Sequence, residues 1–119
     1  PKGLTDLLIE LNSQYDLPPL MITENGAATV DSLVDGKISD EQRCRYFDMH
    51  LKAVHEAIES GVDISGYFAW SLLDNFEWAE GYEKRFGLVF VDFETQERVL
   101  KNSAFAFQDL LNLKHKNEN

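Results

Sequence analysis

Apolar and polar positions follow two different periods along this chain, and the switches between them mark out its elements. Leu4, Leu7, Leu8 and Leu11 recur at i, i+3, i+4 and i+7, the pattern of a one-faced helix, and the pattern closes near Tyr15. Pro18-Pro19 ends any helix, because proline lacks the amide hydrogen and biases the preceding residue toward extended backbone. The apolar run from Leu20 to Thr23 then reads as a buried strand. It delivers Glu24 at its end, before a turn at Asn25-Gly26. Residues 27–38 are polar, glycine-bearing and aperiodic, and read as a loop. Ser39-Asp40-Glu41-Gln42 has the spacing of a capping box, with Ser39 as N-cap and Gln42 reaching back to it. Cys44, Phe47, Leu51, Val54 and Ile58 mark the buried face of the helix that follows, and Gly61 supplies its stop.

A second buried strand spans Ile64 to Trp70, and a loop rich in aromatic and acidic residues runs from Ser71 to Arg85. Dense apolar residues from Phe86 to Phe93, with a turn near Thr95-Gln96, predict a hairpin returning through Val99. A last helix is expected to bury Phe105, Phe107, Leu110 and Leu111, and the polar tail from Lys114 is expected to fray. Two apolar strands separated by a helix form a βαβ unit, with both strand faces covered. A closed (β/α)8 barrel needs eight such units and about 250 residues, so two units make roughly a quarter of one. Residues 1–119 are therefore read as one α/β segment, the C-terminal part of a larger TIM barrel. The chain opens on Pro1 rather than methionine, directly into an amphipathic pattern, which suits a truncated piece.

Composition narrows the partners. A net charge of −10 argues against a nucleic-acid or anionic-membrane surface, since both repel an acidic protein. No apolar run reaches the roughly 18 residues a membrane helix requires, and no signal-peptide pattern opens the chain. The lone Cys44 has no partner for an internal disulfide and reads as a buried, inert thiol. These features point to the cytoplasm. His50, His55 and His115 lack metal-ligand spacing, and no Gly-rich phosphate loop occurs, so neither metal nor cofactor is expected.

Candidate chemistry gathers at the predicted strand ends, where a parallel barrel places its active site. Glu24 ends the first strand, and a carboxylate there needs a reason, because burying a charge is costly. Trp70 ends the second strand, and the loop after it carries Asp74, Asn75, Phe76, Glu77, Trp78, Glu80 and Tyr82. Indole faces beside carboxylates and amides suit a sugar, whose C–H faces stack while its hydroxyls donate. Core packing would account equally for Trp70 alone. An exposed acid beside an anchoring aromatic would account for Glu77-Trp78.

The motifs then carry a resemblance. Ile22-Thr23-Glu24-Asn25-Gly26 resembles the nucleophile signature of family 1 glycoside hydrolases, the β-glucosidases and their relatives. The run from Gly66 to Trp78, with Gly81-Tyr82 and Arg85-Phe86-Gly87-Leu88, resembles that family's sugar-binding block. The likeness covers nearly the whole chain, from the first helix to Leu111. It implies a retaining β-glucosidase in which Glu24 is the nucleophile and Trp70 the platform beneath the glycone ring. It also implies that Glu77 accepts from the 4- and 6-hydroxyls, that Trp78 donates its indole N–H, and that Phe86 lines the pocket. The substrate expected is a small β-glucoside or cello-oligosaccharide. Family members acting on 6-phosphorylated sugars carry serine in place of Glu77, with a lysine and a tyrosine a few residues on. This chain keeps Lys84 but has Glu77 and Phe86, and a carboxylate there would repel a phosphate.

The family's acid/base sits in a Thr-x-Asn-Glu-Pro motif, which this sequence lacks. The isolated chain is accordingly expected to be inert. The alternatives are a sugar-binding protein without hydrolysis, or a barrel fragment that self-associates or pairs with the missing N-terminal part through its free strand edges.

Overall fold

The computed structural model describes residues 1–116, with side chains described through Asn112, and its contacts divide the chain into two compact units. The first unit comprises Pro1–Asn25 and Arg45–Ala69; the second comprises Gly26–Cys44 and the chain from Trp70 onward.

In the first unit, helix α1 (Lys2–Gln14) precedes strand β1 (Leu20–Asn25), and most of helix α2 (Glu41–Glu59) precedes strand β4 (Ile64–Ala69). β1 and β4 pair in parallel, Leu20 opposite Ile64 and Asn25 opposite Ala69, which is the predicted βαβ unit. The core is Leu8, Ala57 and Val62, with Leu4, Ile9, Leu20, Ile22 and Ile64 packed around it. Gly61 does end α2. At φ +94° it closes a Schellman turn in which its amide donates to Ile58 O (2.9 Å) and the Val62 amide to Ala57 O (3.1 Å).

The apolar faces are less covered than the periodicity predicts. Leu7, Ile58, Met21 and Phe68 are exposed, while Thr5 is buried in α1, its hydroxyl donating to Ala53 O at 3.0 Å. Both strands of the pair thus present apolar side chains that nothing described in the chain covers.

In the second unit the expected loop at 27–38 contains a hairpin, β2 (Leu33–Val34) with β3 (Lys37–Ile38). Asp35 at φ 49° and Gly36 at φ 72° make the two-residue turn. Successive left-handed residues match the twist of antiparallel strands, which is why Asp-Gly selects such a turn. α2 begins one residue later than the capping box implies: the Arg43 and Cys44 amides donate to Asp40 O, placing Asp40 at the N-cap. Its carboxylate faces the interior rather than the helix amides, because buried Arg43 and Ser103 occupy it. Strands β5 (Val89–Val91) and β6 (Arg98–Leu100) form the predicted second hairpin. Asp92 caps its turn, its carboxylate held below the usual range by the Thr95 and Glu94 amides.

Helix α3 (Asn102–Lys116) is anchored at its start by buried Lys101 and Ser103. Phe105, Leu110 and Leu111 are exposed, and Phe107 is half-buried. The helix runs through Lys116, two residues beyond the point where the polar tail was expected to fray, and the rest of that tail lies outside the described residues.

Candidate active site

Glu24 occupies the C-terminal part of β1, as the sequence requires, but its side chain is exposed rather than buried. The cost of burying a charge therefore does not arise within the chain itself. Beside it, the Tyr67 hydroxyl donates to Asn25 Oδ1 at 2.6 Å. Burial, and secondarily the neighbouring Tyr46, push the Tyr67 phenol well above its ordinary value, so it stays a neutral donor through the physiological range. Asn25 belongs to the motif the sequence singles out, whereas Tyr67 does not stand out by residue type. The signal was positional, since the register already sets the ends of β1 and β4 side by side.

Gly26 starts the second unit. A Cβ on it would fall 1.9 Å from the Trp70 carbonyl oxygen, so no residue with a side chain fits there without moving backbone. The Trp70–Ser71 peptide is cis. Trp70 itself is 36% exposed.

The loop after Trp70 gathers the other predicted residues. The Ser71 amide donates to Phe86 O at 3.1 Å and the Leu88 amide to Ser71 O at 2.9 Å, bringing half-buried Phe86 back beside the loop's start. At the tip, the Glu77 amide donates to Gly81 O at 2.7 Å around the 3₁₀ turn Trp78–Glu80. Trp78 is 86% exposed and held at φ +43°, a backbone region that bulky residues rarely adopt. Glu77 Oε1 is buried, with no hydrogen-bond partner among the described residues. Such a group is costly unless something beyond the described residues satisfies it.

Two loop residues do not fit the sugar-acceptor expectation. Asp74 is buried beneath the loop, bound to Lys101 Nζ (2.7 Å), Arg85 Nη1 (2.7 Å) and the Gly87 amide (2.9 Å). The Asn75 amide group donates to Leu73 O (3.0 Å) and Ser71 Oγ (3.2 Å). Both are consumed in holding the loop.

Beneath it lies a buried ionic network that residue spacing did not reveal. Arg43, fully buried, pairs with Asp40 at 2.5 Å and Asp31 at 2.9 Å, and also donates to Thr29 Oγ1 and to Arg85 O. Lys101, also fully buried, bridges Asp31 at 2.5 Å and Asp74 at 2.7 Å. Burial alone would raise the Asp31 carboxyl. Hydrogen bonds from Lys101, Arg43 and Thr29, and the Lys101 charge, outweigh burial and leave it lowered. Cys44 is half-buried, its thiol pushed up by burial and by Asp40, which makes it a poor nucleophile. His50 stacks on Tyr46, and His55 lies exposed near Glu59. No helix among the described residues is long and apolar enough to cross a membrane.

Residues 1–116 match the sequence profile of glycosyl hydrolase family 1, and the chain belongs to that family. It is 52% identical over 108 residues to the bifunctional β-D-glucosidase/β-D-fucosidase of Bifidobacterium breve, covering 87% of this chain and 24% of that protein. A 6-phospho-β-galactosidase of Streptococcus equi is 44% identical over 111 residues, covering 92% and 24%. Among solved structures, the psychrophilic β-glucosidase BglU of Micrococcus antarcticus superposes with a TM-score of 0.93 at 52% identity, over 95% of this chain and 24% of that one. The chain thus spans about a quarter of the length of the relatives it matches.

Proposed function

We propose that this chain is the C-terminal part of a (β/α)8 barrel β-glucosidase, supplying its nucleophile and one wall of its sugar pocket. Glu24 attacks the anomeric carbon and forms a covalent glycosyl-enzyme. A second carboxyl group about 5–5.5 Å away protonates the leaving group and then activates water. Trp70 supports the glycone ring, Glu77 accepts from its 4- and 6-hydroxyls, Trp78 donates its indole N–H, and Phe86 closes the apolar side. The substrates are terminal β-D-glucosides or cello-oligosaccharides, and the reaction runs in the cytoplasm.

The observation that carries this reading is the buried, unpartnered Glu77 Oε1, beside a tryptophan kept exposed on left-handed backbone. A sugar hydroxyl satisfies that oxygen, whereas a phosphate dianion on the 6-position would be repelled by it. The non-phosphorylated sugar is favoured for this reason, although phospho-glycosidases stand among the relatives. In the full-length enzyme, Glu77→Ser should lower kcat/KM for an aryl β-glucoside by about tenfold to a hundredfold, the cost of a lost charged hydrogen bond. An unchanged rate would remove the assigned role.

Hydrolysis needs both carboxyl groups, and the acid/base motif is absent from these residues. The purified 119-residue chain should therefore show no turnover of an aryl β-glucoside. Adding the complementary N-terminal portion should restore it, the exposed Met21 and Phe68 being where strands of that portion would pack. Hydrolysis by the chain alone, at high purity, would sink this prediction.

A further inference from the structure

The loop bearing Glu77, Trp78 and Phe86 has a neck. It leaves the fold after Asp74 and returns at Gly87; backbone bonds from the Ser71 amide to Phe86 O and from the Leu88 and Val89 amides to Ser71 O and Leu72 O pair its two sides, and one carboxylate ties side chain to backbone across them. Asp74 Oδ1 accepts from the Gly87 amide at 2.9 Å and from Lys101 Nζ at 2.7 Å; Oδ2 accepts from Arg85 Nη1 at 2.7 Å and the Val91 amide at 3.4 Å. The Asp74 amide in turn donates to Val89 O at 3.0 Å. A Cβ on Gly87 would lie 2.3 Å from Asp74 N and 2.6 Å from Leu73 C, so the neck closes backbone against backbone.

A second tether runs from the neck to the tip. The Arg85 guanidinium lies 4.1 Å from the Phe90 ring centroid and 4.6 Å from that of Phe93. Tyr82 packs on Phe93 at 4.4 Å and on Phe76 at 5.3 Å, and Phe76 adjoins Glu77. By contrast, Glu77 Oε1 has no hydrogen-bond partner among the described residues. Its place is set by the loop backbone, and the loop by its neck.

We propose that Asp74 is a positioning residue, whose carboxylate clamps the loop neck and so fixes where Glu77, Trp78 and Phe86 meet the sugar. It never touches substrate. The proposal rests on the sugar-contact reading of Glu77 and names what holds that contact in register. Misplacement of a binding group by about 1 Å costs up to about a hundredfold in rate, so loosening the neck acts on the hydroxyls that Glu77 holds.

The test compares β-glucoside with β-xyloside, which lacks the 6-hydroxymethyl group, in the full-length enzyme. Asp74→Asn sets an amide N–H₂ against a site built of donors. It should lower glucoside kcat/KM by about tenfold or more, mainly through KM, while xyloside falls less than about threefold. An equal fall on both substrates with KM unchanged is what mere loss of folded protein produces, and would overturn the proposal. If Asp74→Asn yields no soluble enzyme, Arg85→Lys decides by the same two readings. It keeps the charge but loses the fork and the aromatic stacking. Glu77→Ala is run alongside. If Glu77→Ala leaves the glucoside-to-xyloside ratio unchanged, the sugar-contact reading itself fails and takes the proposal with it. A normal Glu77→Ala response with an unchanged ratio in Asp74→Asn overturns the proposal alone.

Discussion

Glu24→Gln in the full-length enzyme should abolish turnover of β-glucosides, with a loss of about 10⁴-fold or more, as for other nucleophile deletions. The amide keeps the size of the carboxylate but cannot attack the anomeric carbon. The substitution keeps the side chain's shape, so protein yield and thermal unfolding serve as controls for folding. A sharper outcome follows from the geometry of retention. In Glu24→Ala the face of the sugar that the carboxylate would attack is open to a small anion. Azide should enter there, displacing the activated leaving group with a single inversion and giving the α-glycosyl azide. Recovery of the β-azide, or residual hydrolysis within about tenfold of wild type, would mean that another group is the nucleophile.

The parts of the fold legible in the sequence are those set by local chemistry. Gly61 stops α2 because a left-handed residue is needed there, and glycine accepts that backbone without strain. The β1–β4 pair followed from two apolar runs around a helix, which topology allows in few ways. Asp35-Gly36 carried an equally local signal, but strands of two residues are too short for periodicity to register. The helix faces failed for a different reason. Leu7, Ile58, Phe105 and Leu111 are apolar at helical spacing yet exposed, since periodicity reports that a face is to be covered, not that this chain covers it. Within the site, Glu77 and Asp74 are both acids in one loop. Only the tertiary structure separates them, by giving Asp74 four donors and leaving Glu77 Oε1 with none among the described residues. Arg43 and Lys101 were invisible for the same reason. Their partners Asp31 and Asp74 lie 12 and 27 positions away, and nothing in residue type distinguishes a buried lysine from a solvated one.

Arg43→Met should destabilise the full-length enzyme by about 3–5 kcal/mol, the usual cost of breaking a buried ion pair by removing one partner. Arg43, Lys101 and Arg85 face Asp31, Asp40 and Asp74, so the network is balanced in charge. Removing Arg43 leaves an unbalanced anion in a site where Arg43 and the Asp31 carboxylate are 0% and 2% exposed. Methionine keeps most of the volume, which isolates the charge effect from a cavity effect. Two further measurements distinguish charge from packing. Adding Asp40→Asn to Arg43→Met restores the balance, since Lys101 and Arg85 then face Asp31 and Asp74. The double variant should therefore unfold at higher urea than the single one. The second measurement is pH. In the native network Asp31 is lowered from its ordinary 3.8, so its contribution is fully present above about pH 4 and is lost only as pH falls through the lower folded value. Without Arg43 the burial penalty has less to oppose it, and the folded value is less lowered. The variant then protonates Asp31 at a higher pH than the wild type does, and once both are protonated the charge difference between them is gone. The gap between the two proteins should narrow as pH falls below about 4. A gap constant across that range, or a double variant no more stable than Arg43→Met, would show that Arg43 acts by packing and its four hydrogen-bonded partners rather than by charge.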